Sequence, residues 1–337
     1  MLGKPCYSQF EIYPISGYFS KLGAHLTMLS EKMRLATYRQ ALKKTIIPGK
    51  SIVADIGTGT GILAMMAAKL GAKKVYAVEA ASIANIAETL IGNNSLSQRI
   101  EIIRGYSTNI SLPEKADIVV SETLGFTGFE EKIIEIFADA KDRLARKGAV
   151  LIPNAVSLSL VPVSDNAIRK THISFWKHSI DDFDFNYLSQ LARNNIYSRV
   201  HFSERDYLSQ PANVWKIVLG DKRHSKRFGS IKFEMEKDGN LEGFGGWFTA
   251  NLFRDLTLTS NLGQQWVNEN HWQQFFIPAS QPLTLNKGQK VKIDLSMETV
   301  KGVVSFSWEV TQLDGEKTIK SFSGSTKKLI DLLTVSG

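Results

Sequence analysis

Residues Ser51–Glu79 read SIVADIGTGTGILAMMAAKLGAKKVYAVE, and their order decides the fold of the first half of the chain. An apolar strand (Ile52, Val53, Ala54) ends in Asp55 and a Gly57-x-Gly59-x-Gly61 turn. A helical run follows, then a second apolar strand (Val75–Val78) that stops at Glu79. This is the first part of a nucleotide-binding βαβ unit, which places ligand chemistry at the carboxyl ends of its strands. The glycines let backbone approach a ligand, and an acid closing the second strand can accept hydrogen bonds from ribose hydroxyls. A dinucleotide fingerprint needs its third glycine where Ile62 stands, and it holds a pyrophosphate on the helix N-terminus. Here the third glycine comes one residue early and a carboxylate precedes the loop. That combination suits a cationic ligand without phosphate, and S-adenosylmethionine is such a ligand. The competing reading is a plain glycine-rich turn of an α/β protein. The expectation is a methyl-donor site held by Asp55, Gly57, Gly59, Gly61 and Glu79.

At 337 residues and 43% hydrophobic content the chain has material for two cores. Its one cysteine, Cys6, leaves no partner for an internal disulfide and fits a reducing compartment. Apolar stretches are broken well short of a membrane span, and the N-terminus lacks the apolar centre of a secretory signal. A cytoplasmic protein is expected. The formal charge of +8 raises the question of nucleic acid, but the basic residues are scattered in short pairs such as Lys43-Lys44. A solvated basic surface accounts for them.

Residues 25 to 46 place Leu29, Met33, Ala36, Leu42 and Ile46 at helical spacing before Pro48-Gly49, predicting one helix. Strands are expected at Ile100–Ile103, Ile118–Val120 and Ala149–Ile152, with helices near Ile83–Ile91 and Lys132–Leu144. The result is a mostly parallel, Rossmann-like sheet over 51–153. After Pro153 the period changes to two: Val156, Leu158, Leu160; Ile231, Phe233, Met235; Val291 to Met297; Val304 to Val310. Asp238-Gly239, Lys301-Gly302 and Asp314-Gly315 supply turns. Residues 154–337 are therefore expected as an antiparallel sheet or barrel. Within them 171–206 are aromatic and polar without alternation, and read as an inserted helical arm.

Glu122 follows the strand ending at Val120, so it lies beside the donor site. Glu131 opens the next helix. Two carboxylates at one sheet edge can grip a planar cation in a fork, and guanidinium matches that fork. The same Glu131 also reads as an ordinary acid at a helix N-terminus, worth about 0.3–1 kcal/mol.

Together, Glu79, the Ser121-Glu122-x-x-Gly125 loop, Glu131 and His271-Trp272 resemble the protein arginine methyltransferases. The resemblance runs from about Tyr18 to Leu333. It implies a class I methyltransferase domain behind an N-terminal cap (1–50), followed by an antiparallel β-barrel with a dimerisation arm, working as a homodimer. It assigns Glu122 and Glu131 to the guanidinium clamp, with the nine-residue spacing favouring Glu131 over Glu130. The run Gly23-Ala24-His25-x-x-Met28-Leu29-x-Glu31-x-x-Arg34 resembles the family's N-terminal helix. By that likeness Arg34 binds the donor's methionyl carboxylate, His25 lines the donor site, and Met28 packs near the transfer centre. His271, in Asn270-His271-Trp272, pairs with the acid at Glu31, and Trp272 packs against the substrate side chain. Thr108 stands where the family commonly has an adenine-binding glutamate, and Ile133 where it often has a methionine.

The chain also departs from the pattern. Glu122 is followed by Thr123-Leu124 instead of tryptophan and methionine, and Gly128 is extra. The aromatic segment around Ile15, Tyr18 and Phe19 is out of register. Substrate identity is where these departures bear, and the basic balance keeps a small guanidino compound beside a protein arginine as acceptor. A non-catalytic donor-binding protein is the alternative from another class; both glutamates and His271 speak against it. No metal site and no membrane partner are read from the sequence.

Overall fold

The computed structural model describes residues 22–221, 226–261, 270–300 and 302–333. Cys6, Ile15, Tyr18, Phe19 and Lys301 lie outside them. The chain enters through two helices, α1 (Leu22–Ser30) and α2 (Lys32–Thr45). The single helix expected over 25 to 46 is broken at Glu31, whose ψ of 86° is not helical. The break also changes which face is buried. Leu29 and Met33 are exposed and Ala36 is too, whereas Arg34, Tyr38, Ala41 and Leu42 turn inward.

The parallel half follows as β1 (Ile52–Ile56), α3 (Ile62–Lys69), β2 (Lys74–Glu79), α4 (Ala84–Asn93), β3 (Ile100–Arg104), β4 (Ala116–Ser121), α5 (Ile133–Asp139) and β5 (Ala145–Ile152). Its strand order is β3-β2-β1-β4-β5, with all four pairings parallel. Every residue of β1 is buried, as a central strand covered on both faces requires. The chain direction along the sheet reverses between β1 and β4, and ligands of such sheets bind in the crevice at that switch. The helix expected over Lys132–Leu144 is α5 continued by a wider helical turn, Ala140–Leu144.

The second half comprises β6 (Ala155–Val163), α6 (Asn186–Ala192), β7 (Tyr197–Val200), β8 (Ala212–Val218), β9 (Arg227–Glu234), β10 (Gly239–Phe253), β11 (Leu256–Thr259), β12 (Gln274–Leu285), β13 (Lys290–Val300), β14 (Val303–Asp314) and β15 (Lys317–Ser325), closed by α7 (Lys327–Leu333). The strands form two antiparallel sheets, β7-β12-β10-β6-β8 with β11 beside β10, and β15-β14-β13-β9. The sheets meet along two seams, β8 against β9 and β12 against β15. Across the second seam Ser280 Oγ donates to the Ser323 carbonyl at 3.0 Å, and beside it Trp308 Nε1, from β14, donates to the Pro278 carbonyl at 3.1 Å. The alternating apolar residues of β13 and β14 fill the space between the sheets. The arm leaves after β6 through helical turns at Arg169–Ile173 and Ser174–Lys177 and includes α6. It ends earlier than the sequence suggests, because Tyr197–Val200 joins the sheet edge as a strand against β12. At its base Arg169 is buried. Its Nε donates to Glu242 at 2.5 Å, and its Nη2 to the Glu242 and Ala279 carbonyls at 2.6 Å each.

Candidate active site

The β1 strand delivers Asp55 to the bottom of the switch-point crevice. Its Oδ2 accepts the Thr58 hydroxyl at 2.5 Å and the Ala64 amide at 2.9 Å, which ties the glycine loop to the start of α3. Burial pushes its pKa from 3.8 up to about 7, with the Glu79 charge adding and the two hydrogen bonds opposing. Its Oδ1 is buried and makes no protein hydrogen bond. Gly57, Gly59 and Gly61 all have positive φ, between 56° and 83°, a conformation that side chains with a Cβ resist. A Cβ at Gly59 would lie 3.2 Å from the His25 ring, so His25, buried in α1, lies over the loop. Glu79, at the end of β2, accepts the Gly59 and Ala81 amides on separate oxygens, at 2.9 and 2.8 Å. Each oxygen keeps a lone pair for a further donor. The cradle, the carboxylate at its rim and the unpaired Asp55 oxygen fit a small cationic nucleoside such as S-adenosylmethionine. Thr108 lies on the turn after β3; it is exposed, and its hydroxyl donates to Asn109.

Opposite the cradle, Glu122 follows β4 and Glu131 precedes α5. Burial raises the pKa of Glu122, against the charges of Arg34 and His271. Burial lifts that of Glu131 well above the carboxylate range, and the neighbouring charges of Glu122 and Glu130 lift it further. The two carboxylates thus share one low-dielectric site. Glu130 is turned away from it: its carboxylate accepts the Thr127 amide at 3.1 Å and the Phe129 amide at 3.3 Å. The space above Gly125 is taken by that carboxylate, so Gly125 has no room for a side chain.

Arg34 occupies this site from α2. Its Nη1 donates to Glu122 Oε2, its Nη2 to the Met28 carbonyl at 2.6 Å, and its Nε stands 3.3 Å from Glu31 Oε2. Met28 itself is half-buried. Glu31 sits at the break between α1 and α2, and that break aims it at the second half of the chain. There its Oε1 takes both the backbone amide of His271 and the ring Nδ1, the latter at 2.7 Å. Trp272 is buried; its Nε1 donates to the Leu124 carbonyl at 2.7 Å, and the Arg34 guanidinium lies 5.8 Å from its ring centre. The structure therefore gathers Glu31, Arg34, Glu122, Glu131, His271 and Trp272 opposite the cradle, sets His25 over the glycine loop, and leaves Thr108 exposed on the turn after β3. Ile133 is fully buried in the core.

Two residues outside the sequence-predicted site matter here: Tyr38, and Ser121, which the sequence names only as part of the Glu122 loop. The buried Tyr38 hydroxyl donates to the Ser121 carbonyl at 3.1 Å, and Ser121 Oγ donates to the Ile56 carbonyl at 2.7 Å. Together they hold α2 against the carboxyl ends of β1 and β4. The available signal was spacing: Tyr38 is one helical turn after Arg34 and shares its face. Thr123, in place of the family's tryptophan, hydrogen-bonds Ser121 Oγ at 3.1 Å. Its methyl lies 3.1 Å from where a Cβ on Gly57 would stand, so it packs down onto the glycine loop.

Residues 160–328 match the family described as the PRMT5 oligomerisation domain, and residues 34–157 the one described as ribosomal protein L11 methyltransferase (PrmA). Protein arginine N-methyltransferase 1 of Chlamydomonas reinhardtii is 35% identical over 281 residues, covering 81% of this chain and 80% of the relative. Protein arginine N-methyltransferase 2 of Xenopus tropicalis is 31% identical over 288 residues, covering 82% of this chain. The chain spans 66% of that relative's length, and 47% of the enzyme of the same name from Dictyostelium discoideum, which is 31% identical over 243 residues. Among solved structures, the Trypanosoma brucei PRMT1 enzyme–prozyme heterotetrameric complex with AdoHcy superposes with a TM-score of 0.80 at 20% identity. That match covers 91% of this chain and 99% of the other.

Proposed function

The chain belongs to the protein arginine N-methyltransferase family, S-adenosylmethionine-dependent enzymes, and from that premise we propose that it methylates a guanidinium nitrogen of arginine in a protein. One observation carries the reading beyond family membership: Glu122 already grips a guanidinium, that of Arg34, in a buried site it shares with Glu131. In the proposed assignment Asp55, Gly57, Gly59, Gly61, Glu79 and His25 hold the donor, with Thr108 at the adenine side. The donor supplies a sulfonium methyl, whose transfer leaves a neutral thioether.

Glu122 and Glu131 hold the acceptor as a fork, orienting one nitrogen lone pair toward the methyl. A guanidinium need not lose its proton beforehand, which its pKa above about 12 would forbid. One proton leaves as the N–C bond forms. Glu131 suits its capture, because burial and the Glu122 charge raise its proton affinity. Glu31 and His271 assist by spreading positive charge, and Met28 and Trp272 shape the walls. Arg34 exchanges Glu122 for the donor's carboxylate, which clears Glu122 for the acceptor. Catalysis is then positioning and electrostatics in a water-poor site.

The same proposal reads residues 51–153 as the donor-binding unit and 154–337 as the barrel and arm. A homodimer is proposed because the match to an oligomerisation domain covers the arm, and the arm exposes Phe175, Phe183 and Tyr187. The lone cysteine supports a cytoplasmic location, and no described helix is long and apolar enough to cross a membrane.

The test is mass spectrometry after incubating the purified chain and isotope-labelled S-adenosylmethionine with a cell lysate split into protein and small-molecule fractions. Label on arginine residues of protein is the expected result. Label confined to small molecules would make the chain a metabolite methyltransferase and overturn the acceptor assignment.

A further inference from the structure

Glu131 has no hydrogen-bond partner among the described residues, so its aim at Glu122 depends on the backbone that carries it. That backbone is unusual. Lys132, the next residue, has φ 62° and ψ 32°, in the left-handed region, and no side chain caps the helix it opens. A non-glycine residue persists there when its surroundings over-determine it. The helix, α5, has seven residues before it widens at Ala140, so its position is set by tertiary contacts.

Two contacts from the antiparallel half meet α5 at this point. Glu135 takes the third helical position, where a glutamate commonly folds back onto its own N-cap amide. Here its Oε1 instead accepts the Thr299 hydroxyl at 3.1 Å. Beside it, at the tip of the β13–β14 hairpin, a Cβ on Gly302 would stand 3.7 Å from Lys132 Nζ. The hairpin behind these contacts is paired without a register shift from Lys290↔Leu313 to Val300↔Val303. It is a stiff ladder whose end rests on the first turn of α5.

We propose that Thr299 and Glu135 are positioning residues for Glu131, a brace through which the β13–β14 hairpin sets the spacing of the guanidinium clamp. The proposal rests on the arginine-methylating reading for its effect on turnover, but not for its effect on the clamp. The charges of Glu122 and Glu130 act on Glu131 from its own loop and that of Arg34 from α2, the buried Tyr38 hydroxyl is coupled to it from the same helix, and His271 acts on Glu122. Loosening the brace lets Glu131 move from Glu122 toward water, which lowers its titration midpoint toward the ordinary carboxylate range.

The experiment compares Thr299→Val, Thr299→Ser, Glu135→Ala and Glu135→Gln in the full chain. Two readouts are taken. One is turnover on a synthetic peptide bearing a single arginine. The other is the Glu131 carboxyl titration, followed by carbon-13 NMR of glutamate-labelled protein and assigned with Glu131→Gln. Thr299→Val and Glu135→Ala should lower kcat on the order of 10- to 100-fold, leave donor affinity within about twofold, and shift the Glu131 midpoint downward. Thr299→Ser and Glu135→Gln keep a donor and an acceptor, and should behave as the parent. An unchanged Glu131 midpoint in Thr299→Val overturns the brace, as does an equal loss in Thr299→Ser. A shifted midpoint in a chain whose parent methylates no guanidinium upholds the brace and overturns the arginine reading.

Discussion

Glu122 is bound to an internal cation in this structure, and the consequence is testable one residue at a time. Glu122→Gln keeps the shape of the side chain and removes the charge that Arg34 uses and that the proposed acceptor would use. Turnover is expected to fall on the order of 10²–10³-fold or more. Donor affinity, read by calorimetry, should stay level or tighten, since Arg34 loses the partner that competes with the donor's carboxylate. Retained turnover would remove Glu122 from the clamp. Asp55 gives a second measurement. Its folded pKa of about 7 lies above the ordinary 3.8 because of burial, so the folded protein holds that proton more tightly than the unfolded chain. The stability this contributes is fully present below about pH 4 and is lost as the pH rises through about 7. Asp55→Asn cannot ionise, so its melting temperature should gain on the parent's between about pH 4 and 7 and level off above. A difference that is constant across that range would show that the folded pKa of Asp55 is not raised above its ordinary value.

At the scale of elements, the loop from Glu122 to Glu131 determines the site more than either strand beside it. Its ends carry the two carboxylates of the proposed clamp, Glu130 closes back onto the Thr127 amide, and Leu124 is pinned by Trp272. Gly128 is where the loop touches the other half. It has a φ of 92°, and a Cβ there would come within 2.9 Å of Phe248 and 3.0 Å of Val156. The extra glycine noted in the sequence is thus the residue that lets the loop lie flat on β10 and β6. Gly128→Ala should cost about 1–3 kcal/mol from strain and overpacking, visible as a lower melting temperature together with reduced kcat. An unchanged melt would mean that the loop can lift away from these strands at no cost.

For the whole molecule, the proposed active site is built across the two halves. Glu31 and Arg34 come from the N-terminal helices, Glu122 and Glu131 from the parallel half, His271 and Trp272 from the antiparallel half. The arm stands apart from this site, with Phe183 66% and Tyr187 59% exposed. In the proposed dimer these two residues lie at the interface. Under the dimer reading, replacing both residues by serine should halve the mass seen by light scattering and leave the secondary structure unchanged. A parent chain that is already monomeric at micromolar concentration would overturn the dimer.

The sequence alone determined what depends on residues near one another in the chain. Strand, Asp55, glycine loop, helix, strand and Glu79 are read in order because each is a local preference, and the change from helical spacing to alternation marked where the parallel sheet gives way to antiparallel ones. The family resemblance added the clamp and the Glu31–His271 pair. Tertiary structure decided the rest. The phase of the first helices follows from the break at Glu31, which exposes Leu29 and Met33 although their spacing looks like a core face. The side chain at that break meets His271, 240 positions away. Arg34 rests on Glu122, 88 positions away, because a buried carboxylate is costly without a cation beside it. Charge compensation in a buried site acts through space, and no local pattern in the chain records it.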